Sequence, residues 1–398
     1  MNILVVSQYY YPEPFRINEI CEELARRNHK VTVLTCNPNY PDGEIYEGYQ
    51  NKNLKEIINN VIVYRCKCRP RHKGAVNLGL NYIDFVRQAN KLISSIDEYF
   101  DCIYVYQLSP ITSCLPAIKF KKKNKIPILL YCLDLWPESL KGTALGNAMG
   151  MLIFGALSKY IYKSVDKIAV TSPSFKKYIS KLCNIDEQSI ECLTQHSTEI
   201  DTTEINICLN NEDKVINFVF TGNIGEAQNI ECLLYAIKRI KDRSKFRFHI
   251  VGSGSHYDKC VSLSKELELS NSVVFHGRHP KSEMPKFYSI ADVCYVSLRD
   301  EGIVGCTIPG KVQEYMSAGK PILACMNGDT PQLVRNAMCG ICVSAGDDLA
   351  LSEAIMKMIS MENKFDEMGK NSKQYFEQYF TLSSHVDKLE KMLGELIK

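Results

Sequence analysis

The sequence has little net charge and no apolar run long enough to cross a membrane. Its 398 residues include 48 Lys and Arg against 45 Asp and Glu, a formal net charge of +3. The best apolar helical candidate, residues 149–157, has about half of the roughly 18 residues that a membrane-spanning helix needs. Composition therefore predicts no transmembrane helix and gives no reason to expect nucleic acid as a partner.

A second cysteine pair, which a structural zinc site would need, is also missing. Cys339 and Cys342 form a lone CxxC motif, although the chain carries 17 cysteines, an odd number. No secretory signal opens the sequence, because Met1 leads directly into a strand pattern. We therefore expect no metal site, a cytoplasmic location, and reduced thiols that pack as small apolar side chains.

Positive charge is concentrated in the first half of the chain. Residues 1–200 carry 25 basic against 19 acidic side chains, whereas the remainder carries 23 against 26. Two basic stretches, 66–73 and 119–125, contribute to this excess. Such charge suits a membrane surface or a lipid diphosphate, but solvated surface charge gives the same pattern, and both interpretations stay open. Peripheral contact with the cytoplasmic face of a membrane is one hypothesis.

The length and the order of the elements predict two α/β domains. A chain of 398 residues exceeds one ordinary domain of about 100–200 residues. The apolar run 3–6 predicts a buried strand, and the spacing of Ile17, Ile20 and Leu24 predicts the helix after it. Strand and helix patterns then alternate, stop in the polar residues 201–214, and begin again at residue 215. We expect two open, doubly wound sheets whose strand ends face each other across a cleft, joined by a 201–214 linker.

Six short motifs occur in order along the chain. They are Tyr11-Pro-Glu-Pro-Phe-Arg-Ile-Asn18, Asp134-Leu-Trp-Pro-Glu138, Thr221-Gly-Asn-Ile-Gly225, Phe275-His-Gly-Arg278, Pro309-Gly-Lys-Val-Gln-Glu-Tyr-Met316 and Ser317-Ala-Gly-Lys-Pro321. As an ordered set, they resemble family 4 retaining glycosyltransferases of the GT-B fold. Within that family, the chain is most similar to the WbuB-like fucosamine transferases of O-antigen and capsule synthesis. The resemblance covers nearly the whole chain.

This resemblance implies an architecture and a reaction. Residues 1–200 would form an acceptor-binding Rossmann-like domain and 215–380 a nucleotide-sugar-binding one, while a helix at 381–398 would cross back onto the first domain. The enzyme would move a sugar from a UDP-linked donor to a lipid-linked or oligosaccharide acceptor, with retention of anomeric configuration. It would need no metal and no cofactor, which agrees with the lack of a convincing Asp-x-Asp motif.

The first group of candidate residues would bind the donor diphosphate. Gly222, Asn223 and Gly225 form a glycine-rich turn that can present backbone N–H groups to phosphate, although an ordinary strand-to-helix turn has the same pattern. Lys311 lies at a predicted helix start. The family motif implies that its ammonium contacts the departing diphosphate, which would make it catalytic, whereas a surface lysine is the alternative.

The second group would surround the nucleoside. The resemblance implies that Glu314 accepts hydrogen bonds from the ribose hydroxyls, a role that suits an acceptor-only carboxylate. Arg278 would stack on the base and Ser253 would line the donor pocket, but both could be ordinary loop residues.

The sequence departs from the family pattern at two places around the donor. Cys306 replaces the first glutamate of the family's two-glutamate motif, so the contact which that glutamate makes with the sugar is in question. A deoxy or N-acetylated amino sugar is compatible with this change. Glu226 and Gln228 stand in a loop where many relatives carry Arg and Lys, so phosphate binding would depend more on Lys311 and on the backbone.

Candidate acceptor residues occur in the first half of the chain. Asp134 follows the predicted strand 128–132, where it could orient an acceptor hydroxyl, take its proton, or cap a turn. Glu138 is a second candidate. Glu13 and Arg16 lie on the first loop, and Arg16 could bind donor or acceptor phosphate or lie on a helix surface.

Two other functions are compatible with the sequence. A nucleotide-sugar epimerase can share the double-Rossmann fold. A nucleotide-sugar-binding subunit without catalytic activity is the second alternative, because Cys306 replaces the expected glutamate and the histidine that many relatives carry near Asp134 is missing.

Overall fold

The structure, a computed structural model, describes residues 1–72, 74–141, 143, 146–201, 215–300, 302 and 307–398. These residues divide into two compact units. Unit 1 comprises Met1–Gln195 and Leu382–Lys398, and unit 2 comprises His196–Thr381. Residues 202–214 of the predicted linker lie outside the described residues.

Unit 1 is built on a single eight-stranded sheet. Its strands are β1 (Asn2–Val6), β2 (Lys30–Cys36), β3 (Leu54–Ile58), β4 (Val61–Cys66), β5 (Cys102–Gln107), β6 (Ile128–Cys132), β7 (Lys167–Val170) and β8 (Ile190–Cys192). Its helices are α1 (Ile17–Arg26), α2 (Ala75–Ile93), α3 (Leu115–Asn124), α4 (Ala148–Ser164), α5 (Pro173–Cys183) and α13 (Leu382–Leu396). The strand order is β3-β4-β2-β1-β5-β6-β7-β8, and all neighbouring strands are parallel except β3 and β4.

The central strands of unit 1 are buried over almost their whole length. Ile3 and Val5 on β1, Tyr104 on β5 and Leu129 on β6 share one core with helix side chains, and all four are fully buried. Because helices cover both faces of a parallel sheet, such strands are continuous apolar runs rather than alternating patterns. The sequence prediction of these strands used this property.

The C-terminal helix α13 belongs to unit 1, although it follows unit 2 in the chain. Val386, Leu389 and Leu393 on α13 are fully buried in the core of unit 1. At the surface, Arg27 after α1 donates to the carboxylate of Glu390 at 2.7 Å. The predicted return of the last helix to the first domain is therefore confirmed, and apolar packing together with an ion pair holds it there.

Unit 2 contains a six-stranded sheet in which all pairs are parallel. Its strands are β9 (Ile216–Thr221), β10 (Phe246–Val251), β11 (Val273–Gly277), β12 (Val293–Ser297), β13 (Ile322–Cys325) and β14 (Gly340–Val343), in the order β11-β10-β9-β12-β13-β14. Its helices are α6 (Ile230–Arg239), α7 (Tyr257–Glu266), α8 (Met284–Ile290), α9 (Gly310–Ser317), α10 (Asp329–Asn336), α11 (Asp348–Ser360) and α12 (Phe365–Tyr379). The prediction of an α/β protein with two doubly wound sheets is confirmed.

Each sheet has a point where the strand order reverses. In unit 1, β1 lies between β2 and β5, and in unit 2, β9 lies between β10 and β12. Open parallel sheets bind ligands outside the carboxyl ends of the strands at such reversal points. The loops that follow β1 and β9 are therefore the positions at which this topology predicts a ligand-binding site.

Two further features of the described residues are the length of the apolar helices and the state of the cysteine thiols. Within the described ranges, no helix combines the length and the apolar character needed to span a membrane. The described cysteines are all free thiols, and most of them are buried. Cys339 of the CxxC motif is buried and its thiol contacts the carbonyl oxygen of Val334.

Candidate functional site

Two glycine-containing loops interlock at the carboxyl ends of β9 and β10. The N–H of Gly222 donates to the carbonyl of Val251 at 2.9 Å, and the N–H of Ile224 donates to the carbonyl of Ser253 at 2.9 Å. Gly252 has φ 146°, and a Cβ there would lie 1.8 Å from the carbonyl oxygen of Gly222. Only glycine fits so close an approach of two backbones. The loops therefore form a compact surface at the reversal point of this sheet.

Lys311 extends from the first turn of α9 to this surface. Its Nζ lies 3.8 Å from the ring centroid of Phe220 on β9. A Cβ built on Gly222 would lie 3.0 Å from the same Nζ. Among the described residues, no side chain or carbonyl forms a hydrogen bond or ion pair with this ammonium. Burial lowers the pKa of Lys311 to about 7, although Glu314 acts in the opposite direction.

A buried lysine in this position, with no ionic partner in the described ranges, is suited to binding an anion. Burial of an ammonium without a partner is costly, and a neighbouring anion removes that cost. The start of α9 adds the positive end of a helix dipole beside Lys311. The arrangement can therefore stabilise negative charge that develops next to Gly222.

Glu314 lies one turn beyond Lys311 on α9. Its Oε2 accepts a hydrogen bond from the Tyr288 hydroxyl at 3.0 Å, and the ammonium of Lys281 lies 3.6 Å from its Oε1. The Glu314 side chain is 18% exposed. Its carboxylate is thus held in place at the edge of the loop surface, with solvent access for ligand hydroxyl groups. Tyr288 also lies 3.1 Å from Thr221 Oγ1, which links Glu314 to the end of β9.

The predicted phosphate turn is tied internally by Gln228. Its Oε1 accepts hydrogen bonds from the N–H of Gly225 at 3.0 Å and from Asn223 Nδ2 at 3.1 Å. The N–H of Gly225 is therefore occupied in this structure. Gln228 therefore holds the shape of the turn, and this role was not predicted.

Arg278 and Ser253 follow β11 and β10 and are both exposed. The N–H of Gly252 donates to the carbonyl of Gly277 at 2.7 Å, which joins the two loops that carry them. Both residues thus lie at the same edge of the sheet as Lys311 and Glu314. Cys306, which the family resemblance places at the position of the first glutamate, lies outside the described residues.

In unit 1, Asp134 lies just beyond the carboxyl end of β6. Its Oδ2 accepts a hydrogen bond from the N–H of Ser109 at 2.8 Å, and its own carbonyl accepts one from Gln107 Nε2 at 2.9 Å. Asp134 is half-buried, and its Oδ1 has no hydrogen-bond partner in the described part of the chain. One oxygen therefore fixes the carboxylate, and the other can take a proton from a ligand.

Glu13 is fully buried, and three backbone N–H groups donate to its carboxylate. They belong to Tyr10 at 3.3 Å, Asn39 at 2.9 Å and Tyr40 at 2.7 Å. Burial raises the pKa of Glu13 to about 7, while these hydrogen bonds act to lower it. Glu13 thus ties the loop after β1 to the loop after β2, so it acts as a positioning residue rather than as an exposed ligand contact.

Arg16 and Glu138 also have partners within unit 1. Arg16 immediately precedes α1 and donates to Gln195 Oε1 at 3.0 Å. The carboxylate of Glu138 accepts the Tyr178 hydroxyl at 2.9 Å and pairs with Lys141 at 2.5 Å. The carboxylate of Glu138 is therefore engaged on both oxygens, which favours Asp134 as the candidate that is open to a ligand.

Family models match both halves of the chain. Residues 16–193 match the model described as Glycosyltransferase Family 4. Residues 201–375 match the model described as Glycosyl transferases group 1. The first match lies in unit 1, and the described part of the second lies in unit 2, which contains Lys311 and Glu314.

Two curated relatives and one solved structure are similar to the chain. The putative colanic acid biosynthesis glycosyl transferase WcaI of Escherichia coli is 23% identical over 344 residues, which are 80% of this chain and 82% of that protein. The probable glycosyltransferase WbjE of Pseudomonas aeruginosa is 26% identical over 259 residues, or 62% of this chain and 63% of that protein. The crystal structure of HepE from Anabaena in complex with UDP covers 100% of both chains, with a TM-score of 0.68 and 13% identity.

The observations agree on one assignment. Two parallel Rossmann-like sheets, a last helix that returns to the first unit, and a match to a glycosyltransferase model in each half occur together. The chain is therefore a glycosyltransferase of the GT-B fold, in which residues 16–193 match the family 4 model and residues 201–375 match the group 1 model.

Proposed function

We propose that this enzyme is a retaining glycosyltransferase of surface polysaccharide synthesis, which moves a sugar from a UDP-linked donor to a lipid-linked or oligosaccharide acceptor. The observation that carries the proposal is the Lys311 ammonium, which lies beside Gly222 at the carboxyl end of β9 and has no hydrogen-bond or ion-pair partner within the described part of the chain. The name of the relative WcaI refers to colanic acid biosynthesis, and HepE, which shares the fold, has been crystallised with UDP. Both names support the proposal.

In this proposal, unit 2 binds the donor. The Lys311 ammonium, at the start of α9 and beside Gly222, neutralises the diphosphate as the bond to the sugar breaks. Glu314 accepts hydrogen bonds from the ribose hydroxyls, while Arg278 and Ser253 lie further along the same edge to contact the nucleoside. No metal enters the reaction, because a fixed ammonium supplies the charge.

Unit 1 would bind the acceptor and hold its reactive hydroxyl. Asp134 is the candidate general base, since its Oδ1 has no hydrogen-bond partner among the described residues while the Ser109 N–H fixes its Oδ2. The identity of the transferred sugar, including an N-acetylated deoxyamino sugar, is an expectation from the family resemblance.

The decisive experiment is a screen of nucleotide-sugars, read by release of the nucleotide. Transfer or slow hydrolysis with a UDP-sugar supports the proposal, and NMR of the product anomer tests retention. An epimerised nucleotide-sugar without nucleotide release would favour the epimerase. Tight nucleotide binding without turnover by any acceptor would favour the silent binding subunit.

The pKa of Lys311 predicts how donor binding depends on pH. The free ammonium has a pKa of about 7, and a bound diphosphate raises it. At a pH between the pKa of Lys311 in the donor-free enzyme and its pKa in the donor complex, binding takes up about one proton. Donor affinity therefore falls by up to about tenfold per pH unit above pH 7. Calorimetry at pH 8 in two buffers of different ionisation enthalpy measures this uptake.

A Lys311→Arg variant is the control for this measurement. A guanidinium stays charged throughout this range, so the pH dependence should disappear while some affinity remains. Identical proton uptake in the wild type and in the arginine variant would assign the titration to another group.

The proposal includes a membrane-contact surface on unit 1. Exposed apolar side chains project from α2 and α4, namely Val76, Leu80, Ile83, Met149, Leu152 and Ile153. Helix α3 contacts both of these helices and carries exposed lysines at 119, 122 and 123. Apolar side chains beside lysines are typical of a surface that docks on anionic lipid.

A protein that carries both Leu152→Glu and Ile153→Glu should partition into vesicles that contain anionic lipid about tenfold or more weakly than the wild type. Each substitution replaces an apolar side chain that would be buried in lipid by a charged one. Vesicle co-sedimentation measures the effect. Leu349→Glu, at an exposed leucine of unit 2, is the matched control and should bind like the wild type. Equal partitioning of all three proteins would remove this surface from the proposal.

A further inference from the structure

Three loops of unit 1 meet at the carboxyl edge of its sheet. Tyr9 follows β1, Tyr40 follows β2 and Arg71 follows β4, and these three strands are neighbours in the sheet. The ring centroids of Tyr9 and Tyr40 are 5.5 Å apart, and Phe15 packs against both rings at 5.1 and 5.0 Å. We call Tyr9, Phe15 and Tyr40 the aromatic platform.

Buried hydrogen bonds fix the platform and the loop of Arg71. Glu13 accepts N–H bonds from the loops after β1 and β2, including that of Tyr40 at 2.7 Å. Asn39 Oδ1 in turn accepts the N–H of Arg71 at 3.1 Å. The backbone under Arg71 is therefore held before any ligand arrives, which lowers the entropic cost of binding.

The guanidinium of Arg71 lies against the platform, and the described residues give it no charged partner. Its Cζ is 5.0 Å from the ring centroid of Tyr40 and 6.0 Å from that of Tyr9, distances at which cation–π attraction operates. Among the described residues, no carboxylate or carbonyl accepts a hydrogen bond from this side chain. The N–H groups along the edge of the planar Arg71 guanidinium, which can bind two oxygens side by side, therefore have no acceptor in the described part of the chain.

A cavity of ≈ 800 Å³ adjoins this guanidinium. Pro41 and Leu78 give it apolar walls, and the exposed carboxylates of Asp42 and Glu44 lie on its lining without pairing to Arg71. Its size suits a sugar with an attached anionic group. Carboxylates around the cavity can accept hydroxyl hydrogens, while the guanidinium binds anionic oxygens.

This cavity is electrostatically connected to the candidate base. Tyr82 on α2 has a pKa raised by burial, and its hydroxyl interacts both with Arg71, which lowers that pKa, and with Asp134, which raises it. Arg71 and Asp134 therefore both lie near enough to Tyr82 to affect its pKa, and both follow strands at the carboxyl edge of one sheet. An acceptor anchored at Arg71 could present a hydroxyl towards Asp134.

We propose that Arg71, supported by the aromatic platform, is a specificity-determining residue that binds an anionic group attached to the acceptor sugar. The inference rests on the proposed glycosyltransferase function and extends it by naming the chemistry of the acceptor. The group has paired oxygens that match a guanidinium, and it is either the diphosphate of a lipid-linked sugar or the carboxylate of a uronic acid.

The test measures binding to unit 1 by calorimetry, with saturating UDP present so that the donor site cannot take up the probe. The probes are geranyl diphosphate and methyl glucuronide, with geraniol and methyl glucoside as uncharged counterparts. We expect the wild type to bind one charged probe, and Arg71→Met to weaken that binding about 10- to 100-fold, as lost charged hydrogen bonds would. The charged probe that binds identifies the source of the anion.

Two further variants make the result specific. Arg71→Lys keeps the charge but loses the paired N–H geometry, so it should restore only part of the affinity. Arg69→Met removes an exposed arginine of the same loop, which donates to Asn77, and it should bind like the wild type. Melting curves of each variant show that the fold is intact.

The outcomes separate this inference from the proposed function. If the wild type binds UDP but neither charged probe, or if Arg71→Met binds the probe unchanged, the acceptor subsite is overturned while the glycosyltransferase proposal stands. If the wild type binds no nucleotide and releases none from any nucleotide-sugar, the proposed function itself fails.

Discussion

An Asp134→Asn enzyme is expected to transfer sugar about 10²–10⁴-fold more slowly than the wild type, because it has lost a general base. Its melting temperature should hardly change. Asparagine keeps the shape of the side chain, and its amide oxygen can still accept the N–H of Ser109 that Asp134 Oδ2 accepts at 2.8 Å. The substitution therefore removes proton acceptance and leaves the local hydrogen bond.

The comparison must separate chemistry from folding and donor binding. Transfer rate, melting temperature and UDP affinity are measured on the same preparation, with Glu138→Gln as the matched control. Glu138 is held by Tyr178 and Lys141, so its variant should show a change in stability rather than a selective loss of rate. Normal turnover by a well-folded Asp134→Asn protein would make this aspartate a turn residue, and the departing phosphate would then have to act as the base.

Replacing Lys311 by methionine should lower the transfer rate about 10²–10³-fold, which is the typical effect of removing one group that stabilises developing negative charge. The same variant should be at least as stable as the wild type in the absence of donor. In the wild type, the Lys311 ammonium lies over the Phe220 ring and burial lowers its pKa to about 7, so the folded protein bears the cost of burying an ammonium. Methionine fills similar space without that cost.

Opposite changes in rate and stability are the signature of a functional lysine. Lys281→Met is the matched control, because Lys281 lies 3.6 Å from Glu314 at the same edge but is 76% exposed. We expect the control to keep most of its activity. A Lys311→Met enzyme with normal kcat and donor affinity would contradict the assigned role, and a large fall in melting temperature would indicate a packing role instead.

The sequence by itself determined the fold class and most of the central strands. Strands such as β1 and β6 contain continuous apolar runs, and burial of both faces of a parallel sheet favours that pattern locally. The short strands β3, β8 and β14 were missed. All three lie at the edge of a sheet and are mostly only partly buried, so they lack the continuous buried apolar run of the central strands.

The candidate donor residues were predicted from motifs, and the structure brings Lys311, Glu314 and the Gly222 turn to one sheet edge. The motifs could not predict which hydrogen-bond partners the site residues have in the folded protein. The N–H of Gly225 is occupied by Gln228, and Glu13 is enclosed by backbone donors. These hydrogen bonds depend on which loops meet in the fold. Hydrogen bonds between segments that are far apart in the sequence produce no recurring pattern of residues from which they could be predicted.

Arg71 shows most clearly what only the tertiary structure decided. In the sequence, it is one of several cations in a basic stretch at 66–73, and nothing distinguishes it from Arg69. In the fold, parallel pairing of β4, β2 and β1 brings their carboxyl ends together, so Arg71 lies against Tyr9 and Tyr40 while Arg69 remains exposed. Local patterns specify which segments are buried, whereas the order of strands in the sheet specifies which loop residues become neighbours.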